Sequence, residues 1–200
     1  MKILIIGGTG TIGKEVAAYF ASNHEVIVAS RTSEEYPIDI ADTSSIKNLL
    51  HKVGTCDAII CAAGEAKWGN FSDLSEADYH IGIQSKLMGQ VNLVRIGKDF
   101  LSSNGSITLT TGILADDPVA QTTSAAMVNG GIHSFVKAAA LELENGIRLN
   151  VVSTGVVENA YKKYQSYFPG HTPIPMQKML RGYIRSVEGR AHGQIIRIYD

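Results

Sequence analysis

Four glycines stand within seven residues near the start of the chain, in the stretch IIGGTGTIGKE at 5–15. Gly8, Gly10 and Gly13 match the spacing G-x-G-x-x-G, behind an apolar run and at the start of a helical pattern. Glycine permits the tight turn and lets the backbone approach a pyrophosphate, while free N–H groups at the helix N-terminus attract the anion. The motif predicts dinucleotide binding rather than a plain glycine turn. The expected contacts run through Gly7, Gly8, Thr9, Gly10, Thr11, Ile12 and Gly13.

The end of the second apolar run indicates which dinucleotide is bound. An acidic residue about 20 positions after the glycines would hydrogen-bond the adenosine ribose and repel a 2′-phosphate. This chain instead has Ser30, Arg31 and Thr32, a guanidinium between two hydroxyls. A charge-assisted hydrogen bond is worth about 1.5–3 kcal/mol, enough for a tenfold to hundredfold preference. We therefore predict NADP(H) over NAD(H); the alternative is that Arg31 is a solvated surface residue.

Short apolar runs alternate with longer stretches of helical period, which is typical of repeated βαβ units and a parallel sheet. The pattern predicts strands at 2–6, 25–30, 36–40, 56–64, 105–112, 146–153 and 193–199. It predicts helices at about 11–22, 43–53, 75–101 and 122–143. The segment FPGHTPIP at 168–175 has three prolines in seven residues, which predicts a loop or lid over a site, within about 156–176.

Composition limits the classes of protein and partner. A length of 200 residues, with 44% hydrophobic and 18% charged residues, fits one globular domain over 1–200. A formal charge of -1 provides no strong field to recruit nucleic acid or an anionic membrane. Cys56 and Cys61 are too few for a disulfide framework, and the six histidines show no ligand spacing. The opening apolar run is too short for a signal peptide. We expect a cytoplasmic protein without a metal, nucleic-acid or membrane partner.

Several fragments, in order along nearly the whole chain, resemble the short-chain dehydrogenase/reductase superfamily. The first is the glycine turn, and the second is Asp39-Ile40, which resembles the family's adenine-contacting dipeptide. Cys61-Ala62-Ala63-Gly64 stands where the family has Asn-Asn-Ala-Gly. GIRLNVVSTG at 146–155 and HGQIIRI at 192–198 resemble the last two strands, with Thr154 where proline is usual.

The resemblance implies an α/β fold of Rossmann type, with a doubly wound parallel sheet of about seven strands and helices on both faces. It implies a nicotinamide cofactor over the carboxyl edge of that sheet. It also implies a homodimer or homotetramer through the two long helices. The further cofactor contacts expected from it are Asp39, Ile40, Ala62, Ala63 and Gly64.

The catalytic part of the resemblance is where this chain departs from the family. The family carries an Asn, a Ser and a Tyr-x-x-x-Lys, with the tyrosine as acid/base and the lysine holding the nicotinamide ribose. Alignment on FVKAAALEL at 135–143 puts the tyrosine position on Ala125 and the lysine position on Asn129. An alanine methyl cannot deliver the proton that a positioned acid supplies, a contribution of about 10²–10⁴ in rate.

The two remaining catalytic positions follow from the same comparison. Alignment on KLMGQVNL at 86–93 puts the asparagine position on Lys86, so lysine and asparagine have exchanged places. The serine position falls on Gly112 or, if the turn is one residue shorter, on Thr111. Lys86 either reaches into the space normally filled from the other helix or is a solvated helix residue, with Asn129 in a spare polar slot.

Two functions are compatible with this pattern. The first is an NADP(H)-dependent oxidoreductase that uses Lys86, Thr111 and Asn129 on a small carbonyl or alcohol-like substrate. The second is a non-catalytic sensor that binds NADP(H) and reports its redox ratio to a partner. The glycine turn fits both.

Overall fold

The computed structural model describes residues 1–199, and within that range it contains one parallel sheet of six strands in the order β2-β1-β3-β4-β5-β6. The strands are β1 (Lys2–Ile6), β2 (Glu25–Ala29), β3 (Cys56–Cys61), β4 (Leu101–Gly112), β5 (Arg148–Thr154) and β6 (Ile195–Ile198). The α-helices are α1 (Thr11–Ala21), α2 (Thr43–Val53), α3 (Glu76–Gly82), α4 (Gly89–Gly97), α5 (Thr123–Ala140), α6 (Glu158–Tyr164) and α7 (Met176–Val187).

Helices cover both faces of the sheet because apolar side chains alternate along its strands. In β1, Ile3 and Ile5 pack on one face, in a buried cluster that includes Phe20 of α1. Leu4 and Ile6 pack on the other face. A strand buried on both faces reads as a continuous apolar run, as KILII does. The doubly wound α/β fold predicted from the sequence is confirmed.

The order of the strands creates a crevice at the carboxyl edge of the sheet. The chain leaves β1 for β2 on one side and then returns to pair β3 with the other side of β1. The loops after β1 and β3 therefore diverge at this reversal, which is where ligands bind in open α/β sheets. The glycine turn follows β1, so it lies in this crevice.

The predicted strand at 36–40 is wrong, and the sheet has six strands rather than about seven. Pro37 has no backbone N–H to donate, and the segment makes only an isolated bridge to Ser30. Asp39 then starts a turn, in which its Oδ1 accepts from the Ala41 N–H at 2.9 Å. Ile38 and Ile40 are nevertheless buried, so the segment closes the edge of the core beside β2 without extending the sheet.

The helical pattern predicted at about 75–101 is confirmed in its extent, since residues 76–100 are helical throughout, but its middle and its end depart from α-helical geometry. The helix is interrupted by a π-helical stretch at Ile83–Met88, between α3 and α4, and ends in a short 3-10 turn at Lys98–Phe100. β4 begins directly afterwards, at Leu101 rather than at 105. A π-helical stretch holds an extra residue per turn and changes the direction of its side chains, often at functional sites. This one carries Lys86.

The proline-rich segment at 168–175 contains no helix and no strand apart from an isolated bridge. That bridge joins Ile174 to Val157, with the Ile174 N–H donating to the Val156 carbonyl at 2.8 Å. The bridge closes a loop that contains α6. Within residues 1–199, no helix has both the length and the apolar character that crossing a membrane requires.

Candidate functional site

The glycine turn has the shape of a cradle for an anion. Gly7 has a φ of +80°, and a Cβ there would come within 2.9 Å of the Ala62 carbonyl carbon. A Cβ on Gly13 would overlap the carbonyl oxygen of Gly7. α1 starts at Thr11 without a side-chain cap, so the first amides of the helix are left for a ligand.

A cavity of about 300 Å³ opens beside this turn, at the ends of β1, β2 and β3. Most of the predicted cofactor residues line it: Gly7, Thr9, Gly10, Ser30, Arg31, Thr32, Asp39, Ile40, Ala62, Ala63 and Gly64. Gly8, Thr11 and Gly13 lie outside its lining, and Ile12 lines a second cavity. Gly8 and Gly13 instead allow close packing, since a Cβ on Gly8 would come within 2.7 Å of the Val28 side chain.

Arg31 lies at the rim of this first cavity, with 69% of its side chain exposed. Its Nη1 is 3.4 Å from Oε1 of Glu65, whose side chain is 56% exposed. The hydroxyls of Ser30 and Thr32 are 3.4 Å apart. A pair this exposed is weak, so an anionic group of a ligand can displace Glu65 from the guanidinium.

A second cavity of about 420 Å³ continues from the first and shares Ala62, Gly64 and Glu65 with it. Its floor lies at the ends of β4 and β5. Lys86, Thr111 and Asn129, the three predicted catalytic residues, all line it, as does Ala125. The structure thus brings together residues that are far apart in sequence.

Lys86 reaches from the π-helical stretch toward the sheet, where its Nζ donates to the Thr110 carbonyl at 3.3 Å. The chain passes close by at Gly64, where a Cβ would come within 2.9 Å of the Lys86 Cα. Burial lowers the pKa of Lys86, since desolvation disfavours its charged form. This geometry favours the first interpretation of the exchange, in which the ammonium faces the site.

Thr111 and Asn129 occupy the floor in different ways. Thr111 Oγ1 is 2.8 Å from Nε2 of His133, and both side chains are buried. Burial lowers the pKa of His133, although the nearby carboxylate of Asp116 acts in the opposite direction. Asn129 is buried, and its Oδ1 has no hydrogen-bond partner among the described residues.

Three residues that sequence reasoning did not select also shape the site. Gln90 is fully buried, and its Nε2 donates to the carbonyls of Ala63 at 3.1 Å and Thr110 at 3.0 Å. Thr154 is buried in the floor, with an Oγ1 that lacks a partner in the described part of the chain. Glu65 faces Arg31. The sequence signalled only Thr154, as a departure from the family's proline.

The roof of the second cavity is apolar and largely aromatic. The ring of Trp68 lies 5.3 Å from that of Tyr164 and 6.3 Å from that of Phe168, between ring centres. These three residues line the cavity. Tyr167 packs edge-on against the same tryptophan, at 5.3 Å. The loop after β3 and the segment around α6 therefore meet above the site.

A polar cluster stabilises the far side of the site, where β6 meets the loop after β4. Arg197 donates to both carboxylate oxygens of Asp116, at 2.8 and 3.0 Å. These bonds, with one from the Tyr199 hydroxyl, lower the pKa of Asp116 to about 2 despite partial burial.

No group of three or more His, Cys, Asp or Glu suited to a metal occurs within residues 1–199.

Comparison with known proteins gives concordant matches. The sequence model of a family described as enoyl-(acyl carrier protein) reductase matches residues 12–177. The oxidoreductase UcpA of Salmonella typhimurium is 25% identical over 181 residues, covering 77% of this chain and 68% of that protein. The structure of lin1944 from Listeria innocua has a TM-score of 0.97 and 42% identity over the whole of both chains. A small-chain dehydrogenase solved with NADPH has a TM-score of 0.86 and 29% identity, covering 98% of this chain and 95% of that one.

Proposed function

Because the chain belongs to the short-chain dehydrogenase/reductase family, we propose that it is an NADP(H)-dependent oxidoreductase with a non-standard catalytic set. Its substrate would be a small carbonyl or alcohol-like compound. The observation that carries the proposal is the continuity of the two cavities at Ala62, Gly64 and Glu65. The first cavity has the features of a site for the adenosine and diphosphate part of the nucleotide, and the second can hold the nicotinamide end together with a substrate.

The residues present fit a nicotinamide dinucleotide. Gly7 and Gly10 line the first cavity where a diphosphate would need close backbone approach, and Arg31 suits a 2′-phosphate. Asn129 Oδ1 and Thr154 Oγ1 lie in the second cavity without partners in residues 1–199. An unpaired buried polar atom costs about 1–3 kcal/mol, so these two atoms favour a hydrogen-bonding ligand. A dehydrogenase of 29% identity binds NADPH, which supports the same cofactor here.

When bound, the cofactor supplies or accepts a hydride; the chain's own residues must then manage the charge on the substrate oxygen. Lys86 places an ammonium at the cavity, where it can stabilise a developing oxyanion. Its lowered pKa also makes it a better proton donor than an ordinary lysine. Thr111 can donate to the same oxygen while His133 Nε2 donates to the Thr111 hydroxyl oxygen. Asn129 supplies the amide where the family has its lysine.

The non-catalytic sensor remains a second candidate because of Ala125. This residue puts an apolar methyl into the cavity at the position of the family's acid. The second cavity favours the enzyme, since a protein that only senses the cofactor needs no aromatic wall of Trp68, Tyr164 and Phe168 beyond the polar floor.

We also propose that the chain forms a homodimer or homotetramer through its long helices. Gly130 lies inside α5, where glycine costs about 1 kcal/mol relative to alanine, yet a Cβ there would meet nothing within 4 Å. No close contact within residues 1–199 therefore explains the glycine. Apolar side chains of Ile81, Met88 and Met127 are 40–45% exposed on α3, at the end of the π-helical stretch and on α5. A second copy packed here could approach closely at Gly130 and would bury these three apolar side chains.

A turnover assay separates the two functions. NADPH absorbance is followed in the presence of aldehydes, ketones, quinones and enones, and NADPH binding is measured by calorimetry on the same preparation. The proposal expects saturable NADPH binding and oxidation with at least one class of substrate. Binding without turnover across the panel would support the sensor instead.

A further inference from the structure

We infer that the second cavity binds a flat, uncharged, conjugated ring that carries a carbonyl oxygen, and that the substrate is a quinone. The inference rests on the proposed function, because it names the substrate class of the same site. It follows from three features of the cavity: its aromatic roof, its polar floor and the residue at the position of the missing acid.

The roof selects a flat ring. Trp68, Tyr164 and Phe168 line the cavity, and the rings of Tyr164 and Phe168 each lie beside that of Trp68. Aromatic faces gain about 0.5–1.5 kcal/mol from stacked or edge-on partners, in addition to the burial of apolar area. Ile113 and Leu114 extend the apolar wall. A conjugated ring therefore gains more here than a flexible chain, which would also lose rotational freedom.

The floor orients a carbonyl oxygen and gives no preference for a charged molecule. Lys86 and Thr111 line this floor and can donate to a carbonyl oxygen of the ring. The ionised side chains along the cavity are one of each sign, Lys86 and Glu65, so an anion attracted by the first is repelled by the second.

Ala125 favours a quinone over a simple ketone. Reduction of a ketone produces an alkoxide, which is about as basic as hydroxide and far more basic than a phenolate. Reduction of a quinone produces a phenolate, whose conjugate acid has a pKa of about 10, as for tyrosine. The phenolate is stable enough to take its proton from solvent or from Lys86. A site with a methyl group in place of the tyrosine is therefore best suited to a quinone.

The reaction balances with one co-reactant. Quinone, reduced nicotinamide nucleotide and one proton give hydroquinone and oxidised nucleotide. The hydride carries both electrons to the quinone, and the remaining proton comes from solvent or from Lys86.

Binding can be tested without turnover because Trp68 is the chain's single tryptophan. Its fluorescence is titrated with 1,4-naphthoquinone and, separately, with 1-naphthoate, a ring of similar size that carries a charge. We expect saturable quenching by the quinone, with an affinity at least about tenfold higher than for naphthoate. Ala160→Phe, which fills the cavity, should abolish the saturable part, whereas Ala21→Phe, on an exposed position at the end of α1, should not. Equal binding of the two ligands, or no effect of Ala160→Phe, would overturn the inference.

Turnover then tests the choice of quinone. With NADPH, we expect 1,4-naphthoquinone to be reduced about 10²-fold faster than 2-acetonaphthone, a ketone on the same ring system. A positioned acid contributes about this factor to the rate, and only the ketone needs one. Ala125→Tyr should raise the ketone rate, and Ala125→Phe, of nearly equal volume, should not. If neither variant folds, the rate ratio of the parent protein decides. A ketone rate equal to the quinone rate would contradict the inference.

The two proposals fail in different ways. If calorimetry finds no NADPH binding, the proposed function is lost. If NADPH binds and ketones or aldehydes are reduced while naphthoquinone neither quenches Trp68 nor turns over, only the quinone assignment is lost.

Discussion

Replacing Arg31 with aspartate should remove the preference for NADPH over NADH. Arg31 lies at the cavity rim, in the position expected for a 2′-phosphate contact. A charge-assisted hydrogen bond is worth about 1.5–3 kcal/mol, or tenfold to hundredfold in affinity. Since 69% of the side chain is exposed, solvent and salt screen the interaction. We therefore expect a preference of about tenfold in the parent protein, decreasing as salt is added.

The Glu65 carboxylate provides an independent check on the same contact. It lies 3.4 Å from the guanidinium and must give way to a phosphate. An exposed pair is worth about 0.2–1 kcal/mol, so Glu65→Gln should tighten NADPH binding by up to about fivefold and leave NADH unchanged.

The assay is a titration of the parent, Arg31→Asp and Glu65→Gln proteins with each nucleotide, at low and high salt. NADH affinity serves as the internal control for folding, because NADH lacks the phosphate. An NADPH/NADH affinity ratio that is the same in the parent and in Arg31→Asp would refute the assignment of Arg31.

Three further predictions follow from the site and its supports. Lys86→Met keeps the aliphatic stem without the ammonium, and kcat for the substrate identified in the panel should fall about tenfold or more; unchanged kcat and unchanged NADPH affinity would mean that Lys86 has no part in the site. Gly130→Ala should raise the dissociation constant of the oligomer in sedimentation, because the added methyl intrudes on the helix contact; a parent protein that is monomeric at all concentrations would contradict this. The pKa of Asp116 is about 2 when folded and higher when unfolded, so its contribution to stability is complete above pH 4 and is lost as pH falls from about 4 to 2. Asp116→Asn should lower the free energy of unfolding at neutral pH, measured by urea titration, and should reduce its further decrease between about pH 4 and 2. A decrease identical to the parent's over this pH range would count against the Arg197 and Tyr199 contacts.

The fold was largely predictable because its local and global signals agree. KILII reads as a strand buried on both faces, and the glycines that follow permit the turn that the sheet order requires. The strand predicted at 36–40 does not form because Pro37 has no N–H to donate and Asp39 forms its own turn. Apolar alternation alone reveals neither effect. Strand pairing of such a segment depends on partners that periodicity does not reveal.

The site was only partly predictable, for reasons of geometry. The π-helical stretch that carries Lys86 passes close to Gly64, a contact between segments that no local pattern encodes. Gln90 reads as a polar residue on a helix surface, and only the fold shows that it is buried against two carbonyls. The pairing of Thr111 with His133 joins a strand to a helix 22 positions away. Residue types suggested the participants, but the partners of each required the structure.

The whole proposal requires the glycine turn and the cavity beside it to bind the diphosphate of NADP(H). A calorimetric titration with NADPH tests this, using the parent protein and Gly10→Val, since Gly10 lines the cavity and a Cβ there would lie 3.3 Å from the Gly7 carbonyl oxygen. We expect one saturable site per chain in the parent protein, with a dissociation constant well below about 1 mM, and loss of this binding in a Gly10→Val protein that still melts cooperatively. No saturable heat at millimolar NADPH or NADH, or equal binding by Gly10→Val, would contradict the claim.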